Sequence, residues 1–354
     1  MRWFGSIAVL ALVIASCSAT VDEVGIEPTT SSSPLVTEPP VPPRAVILDY
    51  SPTVSDVGAL AFLATHPSVF LIGVTLAGTG ETDCEPGVAM TLGILEFLDR
   101  ADVPVACGQP DPIDGNNAFP ADRRLAATDL DVELVEPSGE MSASELIAEL
   151  VRASPLPVDF VTAAPLTNLA VAFAVDPELA SLIGSITVVG GAIDVAGSAT
   201  DLAEWNMWVD PVAASDVLRS GVPVTLVPLD ATNLVPTGPT FFNALDTQAV
   251  TPAARLLRNA WAADGTWIDN VAGDHFFWAE LAAAILVDDS LASFETKRLV
   301  VEFGDSEIAG WTRVDPAGTL VRIATSVRRQ AFEQLLLETL VSGPAELDYQ
   351  GEQA

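Results

Sequence analysis

Apolar residues in this chain come in short unbroken runs, and helically spaced stretches separate them. Residues 45–48, 69–76, 103–107, 158–162, 186–189 and 224–228 are such runs, and read as strands buried on both faces. Residues 56–65, 88–98, 142–151, 168–174 and 211–220 repeat apolar positions at helical spacing, with Ser142 as an N-cap. Strand and helix alternate, which predicts an α/β fold: an open, mostly parallel sheet flanked by helices on both faces. Ligands of such sheets sit beyond the carboxyl ends of the strands. The residues to inspect are therefore Asp49, Ser51, Asp56, Gly78, Thr79, Ala163, Ala164, Gly190, Gly191 and Asp230. No internal repeat is visible, and one domain is expected over 44–345, with a flexible tail at 346–354.

The first 43 residues follow another pattern. Met1 and Arg2 precede an apolar stretch over 3–15, as in an export signal. It ends in Ile14-Ala15-Ser16-Cys17, which looks like a bacterial lipobox with Cys17 as the lipidated residue. Acyl chains enter a bilayer at about 0.8 kcal/mol per buried CH₂. Residues 18–43 are rich in Pro, Ser, Thr and acid, without apolar period, and read as a tether. The expectation is an extracytoplasmic protein held to the bacterial membrane by its lipid alone. No later apolar run reaches the ~20 residues of a membrane helix.

Composition sharpens this. Of 354 residues, 49% are hydrophobic and 18% charged, enough to bury a core. Lys and Arg number 15 against 48 acids, a formal charge of −33, which argues against nucleic-acid binding. Cys84 and Cys107 remain after Cys17, and an oxidising compartment lets them pair; two buried thiols are the other reading.

The polar segments after the strands carry the chemistry. Asp49 to Asp56 reads D-Y-S-P-T-V-S-D; 163–173 reads AAPLTNLAVAF; 188–218 contains G-G and A-E-W-N-M-W-V-D-P-V-A-A; 227–232 reads VPLDAT. In this order they resemble the inosine/uridine-preferring nucleoside hydrolases, whose segments read D-x-D-P-x-x-D-D, G-P-L-T-N, M-G-G and A-E-F-N-x-x-x-D-P-x-A-A. The similarity runs from Arg44 to Leu340, and Gly310 to Asp315 adds a weaker element. It implies a calcium ion on hard oxygen ligands, a carboxylate that takes a proton from water, and attack of that water on the anomeric carbon of a ribonucleoside.

Carried over residue by residue, Asp49 matches a supporting aspartate and Asp56 the main calcium ligand. Ser51 occupies the place of the water-activating, metal-binding aspartate, and Ser55 that of an aspartate holding a ribose hydroxyl. Thr79 and Ser198 replace asparagines. The carbonyl of Ala163 matches a metal-binding backbone oxygen, and Glu204 and Asn206 match the pair that holds the sugar. Ala279 falls on the last metal-binding aspartate. Glu280 beside it, Asp274 or His275 could compensate, His275 as a proton donor. Trp278 either stacks on a base or packs in the core. Tyr50 and Trp205 read as packing residues, and His66, before Pro67, as a surface or capping residue.

The resemblance thus implies the fold together with a depleted site. Each lost base or stabiliser costs roughly 10- to 10⁴-fold, and calcium affinity falls with the number of charged ligands. The leading expectation is a ribonucleoside- or sugar-binding member in which hydrolysis is weakened, altered or lost. The alternatives are an active calcium-dependent N-glycosidase with a rebuilt metal site, and a non-catalytic surface interaction protein.

Overall fold

The first apolar run forms strand β1 (Arg44–Tyr50), buried at every residue after Arg44. Its side chains alternate between two cores. Val46, Leu48 and Tyr50 enter one, with Phe62, Trp261, Phe277 and Phe332; Ala45 and Ile47 enter the other, with Phe160, Ile186 and Val217. A strand clamped this way has no solvated face, which is why its sequence is continuously apolar.

The computed structural model describes residues 43–343, apart from 116, 122, 123, 125–131, 138, 140, 264, 305 and 306. The proposed signal, Cys17 and the tether up to residue 42 lie outside the described residues, as does the tail. The remaining strands are β2 (Val69–Leu76), β3 (Val105–Cys107), β4 (Val158–Thr162), β5 (Ile183–Val189), β6 (Val224–Val227), β7 (Ala292–Val301), β8 (Thr312–Val314) and β9 (Thr319–Val327). They form one sheet in the order β3-β2-β1-β4-β5-β6-β9-β7-β8. Pairing is parallel from β3 through to β9, and β7 runs antiparallel to β8 and β9. The chain starts mid-sheet, moves outward to β3, then crosses to β4 on the other side of β1. The order therefore reverses between β1 and β4, the place where sheets of this kind commonly bind ligands.

Helices α1 (Val57–Thr65), α2 (Cys84–Phe97), α3 (Ala143–Ala153), α4 (Thr167–Val175), α5 (Trp205–Val209) and α6 (Pro211–Arg219) accompany the first six strands. Then come α7 (Leu229–Thr232), α8 (Pro239–Gln248), α9 (Pro252–Ala263), α10 (Thr266–Asp269), α11 (Trp278–Val287) and α12 (Arg329–Ser342). Ser142 caps α3 in a reciprocal capping box with Glu145. His66 is the C-cap residue of α1; its ring is buried, and Nδ1 accepts from the Ser68 N–H, so of its two expected placements only the cap is realised. Helix α2 begins at Cys84, ahead of the predicted 88, because Asp83 and Pro86 start a turn that lacks apolar period. Strands β7 to β9 escaped the apolar-run criterion because their residues are half exposed and include Glu295, Lys297 and Arg298.

Two ties fix the crest of the sheet. Asp49 is fully buried, and its Oδ1 accepts from Thr75 Oγ1 and Asn168 Nδ2, both at 2.7 Å. Asn168 Nδ2 also donates to the Leu76 carbonyl at 2.9 Å, so β1, β2 and α4 meet at one carboxylate. Tyr50, on the opposite side, donates to or accepts from Thr91 Oγ1 at 2.8 Å and is a packing residue. The second tie is a disulfide between Cys84 and Cys107, with Cα atoms 5.7 Å apart, joining the start of α2 to the end of β3.

Burial pushes the Asp49 carboxyl up to about 7, against the hydrogen bonds from Thr75 and Asn168. The folded chain then binds a proton that the unfolded chain releases near pH ~4, so this contribution to stability is complete below about 4 and is lost as the pH rises to about 7. Urea unfolding of wild type and Asp49→Asn at about pH 4 and about pH 8 checks this. Wild type should lose more stability over the interval, and equal losses would refute the assignment. For the disulfide, closure of the loop between Cys84 and Cys107, separated by 23 positions, is worth about 3 kcal/mol. Cys84→Ser with Cys107→Ser should lower the thermal midpoint accordingly in calorimetry.

Candidate active site at the crest of strands one and four

The turn after β1 is held by its own backbone. Thr53 N–H donates to the Ser51 carbonyl at 2.8 Å, and the N–H groups of Asp56 and Val57 both donate to the Thr53 carbonyl at 3.0 Å. This brings Asp56 to the N-cap position of α1, where the helix dipole favours negative charge. Its carboxylate accepts from Ser55 Oγ at 3.1 Å and from the Ser51 N–H. Burial, followed by the charge of Glu81, nevertheless pushes its carboxyl well above the usual range. Ser51 Oγ accepts from the Glu81 N–H at 3.2 Å, and Ser55 Oγ shares a hydrogen bond with Thr53 Oγ1 at 2.6 Å. Both serine hydroxyls therefore serve as ties of the turn.

Helix α11 brings up a second acid. Ala279 is fully buried and offers a methyl group, while Glu280 is 2% exposed. Gly58, at the start of α1, makes this approach feasible: a Cβ there would overlap Glu280 Oε1. Glu280 Oε2 is buried without a hydrogen-bond partner. Burial, then the charge of Asp56, raises its carboxyl well above the ordinary value. Of the compensating acids read from the sequence, the structure thus brings Glu280 against Gly58, two positions from Asp56, whose charge acts on it. Asp274 is largely exposed, 3.7 Å from His275 Nε2. The His275 ring stacks on Trp267 with centroids 4.4 Å apart, and Trp278 stands edge-on to Trp267 at 6.0 Å.

The facing wall follows β5. Gly191, at φ +85°, turns the chain in a conformation that favours glycine. Glu204 is the N-cap of α5, and its carboxylate accepts from the N–H groups of Gly191, Asn206 and Met207. Burial still pushes it up to about 7. Asn206 Nδ2 donates to the Val189 carbonyl at 3.1 Å. Between these residues, Trp205 stacks on Phe119 with centroids 5.1 Å apart and takes Trp208 edge-on, forming an aromatic wall. Ser198 is exposed and accepts from the Trp205 N–H at 3.3 Å. Thr79 is buried and shares a hydrogen bond with Thr167 Oγ1 at 3.1 Å; Thr167 in turn donates to Asp210. Ala163 N–H continues the ladder to the Asp49 carbonyl, which sets its peptide at the crest.

Glu81 is the residue that sequence reading missed. Its charge acts on Asp56 and on Glu204. The signal available was its place in the turn after β2, two positions beyond Thr79.

The donor set does not fit the calcium ion that the resemblance implies. Positions 51 and 55 bring neutral hydroxyls, position 279 brings a methyl, and the buried acids nearby are Asp56 and Glu280. Among the described residues no three His, Cys, Asp or Glu side chains converge so as to hold a metal ion.

Comparison with known proteins accords with this architecture. The profile of the inosine-uridine preferring nucleoside hydrolases matches residues 46–334. The pyrimidine-specific ribonucleoside hydrolase RihA of Shewanella sp. (strain ANA-3) is 38% identical over 194 residues, which is 54% of this chain and 60% of the relative. The corresponding protein of Photobacterium profundum is 36% identical over 194 residues, 54% of this chain and 62% of its own. The chain thus spans about 60% of the length of the curated relatives it matches. The plant nucleoside hydrolase PpNRh1 superposes with a TM-score of 0.76 at 25% identity, over 85% of this chain and all of that one. An inosine-uridine preferring nucleoside hydrolase from Bacillus anthracis, at 21% identity and a TM-score of 0.74, covers 84% of this chain and 99% of its own, and shares the fold. With the profile spanning most of the folded body and the sheet order in place, this chain belongs to the inosine-uridine preferring nucleoside hydrolase family.

Proposed function

We propose that this chain binds a ribonucleoside or a related sugar in the crevice between the Asp56 turn and the Glu204–Asn206 wall, and that it hydrolyses the N-glycosidic bond only weakly. One observation carries the reading: the wall is buried and hydrogen-bonded in place, while positions 51, 55 and 279 opposite it bear no charge. In this reading Glu204 and Asn206 grip the sugar hydroxyls, with Thr79, Ser55 and Ser198 at the rim. Trp278 and His275 border the base, and His275 is the candidate proton donor to it. The carbonyl of Ala163 lies at the crevice floor. Weak hydrolysis follows from Coulomb's law. An oxocarbenium-like sugar needs negative charge at close range in a site from which water is excluded, and a serine hydroxyl supplies none. The surface charge of −33 speaks against nucleic-acid partners. The chain is further proposed to act outside the cytoplasm, held by a lipid on Cys17, on the strength of its lipobox-like N-terminus.

A second reading, an active calcium-dependent N-glycosidase with a rebuilt site, is favoured by one observation, the unpartnered Glu280 oxygen close to Asp56. Chelation separates the two. Ribose release abolished by a chelator and restored by calcium would support the second reading; release indifferent to both supports the first.

Isothermal calorimetry with a panel of purine and pyrimidine nucleosides and free ribose should give heat for wild type and a loss of about 10-fold or more in affinity for Glu204→Ala. Absence of heat with every ligand would defeat the first reading in favour of a scaffold without ligand. Restoring the acids through Ser51→Asp, Ser55→Asp and Ala279→Asp together should create a calcium-dependent rise in the thermal midpoint that wild type lacks. Equal response of both proteins would show the assigned positions to be wrong.

A further inference from the structure

We propose that the Cys84–Cys107 disulfide is a redox-operated clamp on the crevice. Its reduction by a dithiol slackens the two loops it joins and lowers affinity for the ligand, and a bound ligand in turn protects the bond. The affinity arm rests on the reading of the crevice as a ribonucleoside site.

The argument starts from what each cysteine adjoins. Cys84 follows the turn after β2, and that turn rests on the one after β1. Glu81 N–H donates to Ser51 Oγ at 3.2 Å, and Thr82 Oγ1 donates to the Pro52 carbonyl at 3.2 Å. Cys107 ends β3, and Gly108 follows it. Gly108 N–H donates to the Leu76 carbonyl at 2.9 Å, and a Cβ at Gly108 would overlap Asn168 Oδ1. Asn168 Nδ2 donates to Asp49 Oδ1 at 2.7 Å. The disulfide thus closes a ring that runs from the end of β1 through both turns, across the two sulfurs, and back through Gly108 and Asn168 to Asp49. The other joints of this ring are hydrogen bonds and packing contacts, which open and close locally; the disulfide is its covalent joint.

Beyond Gly108 the chain crosses to the facing wall. Ile113 N–H donates to Asp210 Oδ2 at 2.9 Å, and Thr167 Oγ1, bonded to Thr79, donates to the same oxygen at 2.8 Å. Asn117 Nδ2 donates to the Trp208 carbonyl at 2.7 Å, and Phe119 stacks on Trp205, the residue between Glu204 and Asn206. One bond therefore anchors a turn that touches Ser51 and a loop that touches the Glu204–Asn206 wall.

The bond is also within reach of a reductant. Both cysteines are half-buried, and both line an open cavity of about 720 Å³ beside β3, the edge strand of the sheet. Exposed disulfides are the ones that thiols reduce readily. Strand β3 has only three residues, paired to the end of β2, so little else holds it once the bond is open. One thiolate of the dithiol attacks a cysteine sulfur, forms a mixed disulfide and expels the other cysteine as a thiolate. The second thiol then displaces the first cysteine. Two electrons and two protons pass to the protein, which leaves with two thiols, and the reductant leaves as its disulfide.

The test uses the full chain, oxidised or reduced with dithiothreitol, and reads hydrogen exchange over 77–83 and 108–115 beside nucleoside calorimetry. Reduction should speed exchange in both segments while β1 and β4 stay protected, and should weaken nucleoside binding by about 5-fold or more. Oxidised dithiothreitol should restore both. Linkage requires a reciprocal effect: the ratio of reduced to oxidised dithiothreitol that half-opens the bond should rise under saturating nucleoside by the same factor. Cys84→Ser with Cys107→Ser should match the reduced chain and ignore dithiothreitol. Far-UV circular dichroism separates a clamp from a bond that only stabilises the fold, and a reduced chain that unfolds at the assay temperature would overturn the proposal. So would a reduced chain with the exchange and affinity of the oxidised one, or a half-opening ratio indifferent to nucleoside. Wild type that binds no nucleoside defeats the ribonucleoside reading instead, and exchange in the two segments then decides the clamp by itself.

Discussion

The site depends on how a carboxyl group is kept at the end of a buried strand. Asp49 has no exposure, and one of its oxygens serves both Thr75 of β2 and Asn168 of α4. A buried carboxylate is expensive unless it is hydrogen-bonded, so these two donors are what allow an acid there at all. In return, Asp49 locks the mutual height of β1, β2 and α4. The turn carrying Ser51, Ser55 and Asp56 departs from that fixed point, the turn with Thr79 and Glu81 departs from β2, and the Ala163 peptide joins the same ladder.

Around this anchor the crevice has been rebalanced. In a metal-loaded pocket, several carboxylates are tolerated because a divalent cation offsets their repulsion. Here Ser51, Ser55 and Ala279 bring no charge, and Asp56 and Glu280 are driven toward the neutral form first by burial, then by the charge of Glu81 on Asp56 and of Asp56 on Glu280. The serine hydroxyls do not stand idle. They accept and donate within the two turns and so hold the loops. The Glu204–Asn206 wall is different. Glu204 is bound by three backbone N–H groups at a helix start, an arrangement that keeps the residue in place whether or not hydrolysis is fast.

Fold and family were legible in the chain because they rest on local, repeated signals. Buried parallel strands must be apolar throughout, and the A-E-W-N-x-x-x-D-P-x-A-A segment encodes a helix start, a cap at Asp210 and a tight turn in adjacent residues. The antiparallel β7–β9 edge was not legible, since half-exposed strands mix charge with apolar residues. Of the helices between β6 and α11, α7 and α10 are too short to show a period, while α8 and α9 were not read from the pattern.

The sequence by itself determined the α/β order and the family, and it showed that Ser51, Ser55 and Ala279 carry no charge, because each is written in neighbouring residues. It also left the fate of Cys84 and Cys107 open, and only the tertiary structure brings them to bonding range. The same holds for the acids. That Glu280, and not Asp274, packs against the start of α1 was decided by Gly58 leaving room for it, and that the turn after β2 rests on Ser51 was decided by one turn settling onto another. Electrostatic partnership depends on distance through space, and residues far apart along a chain acquire it only when the sheet sets the heights of its loops.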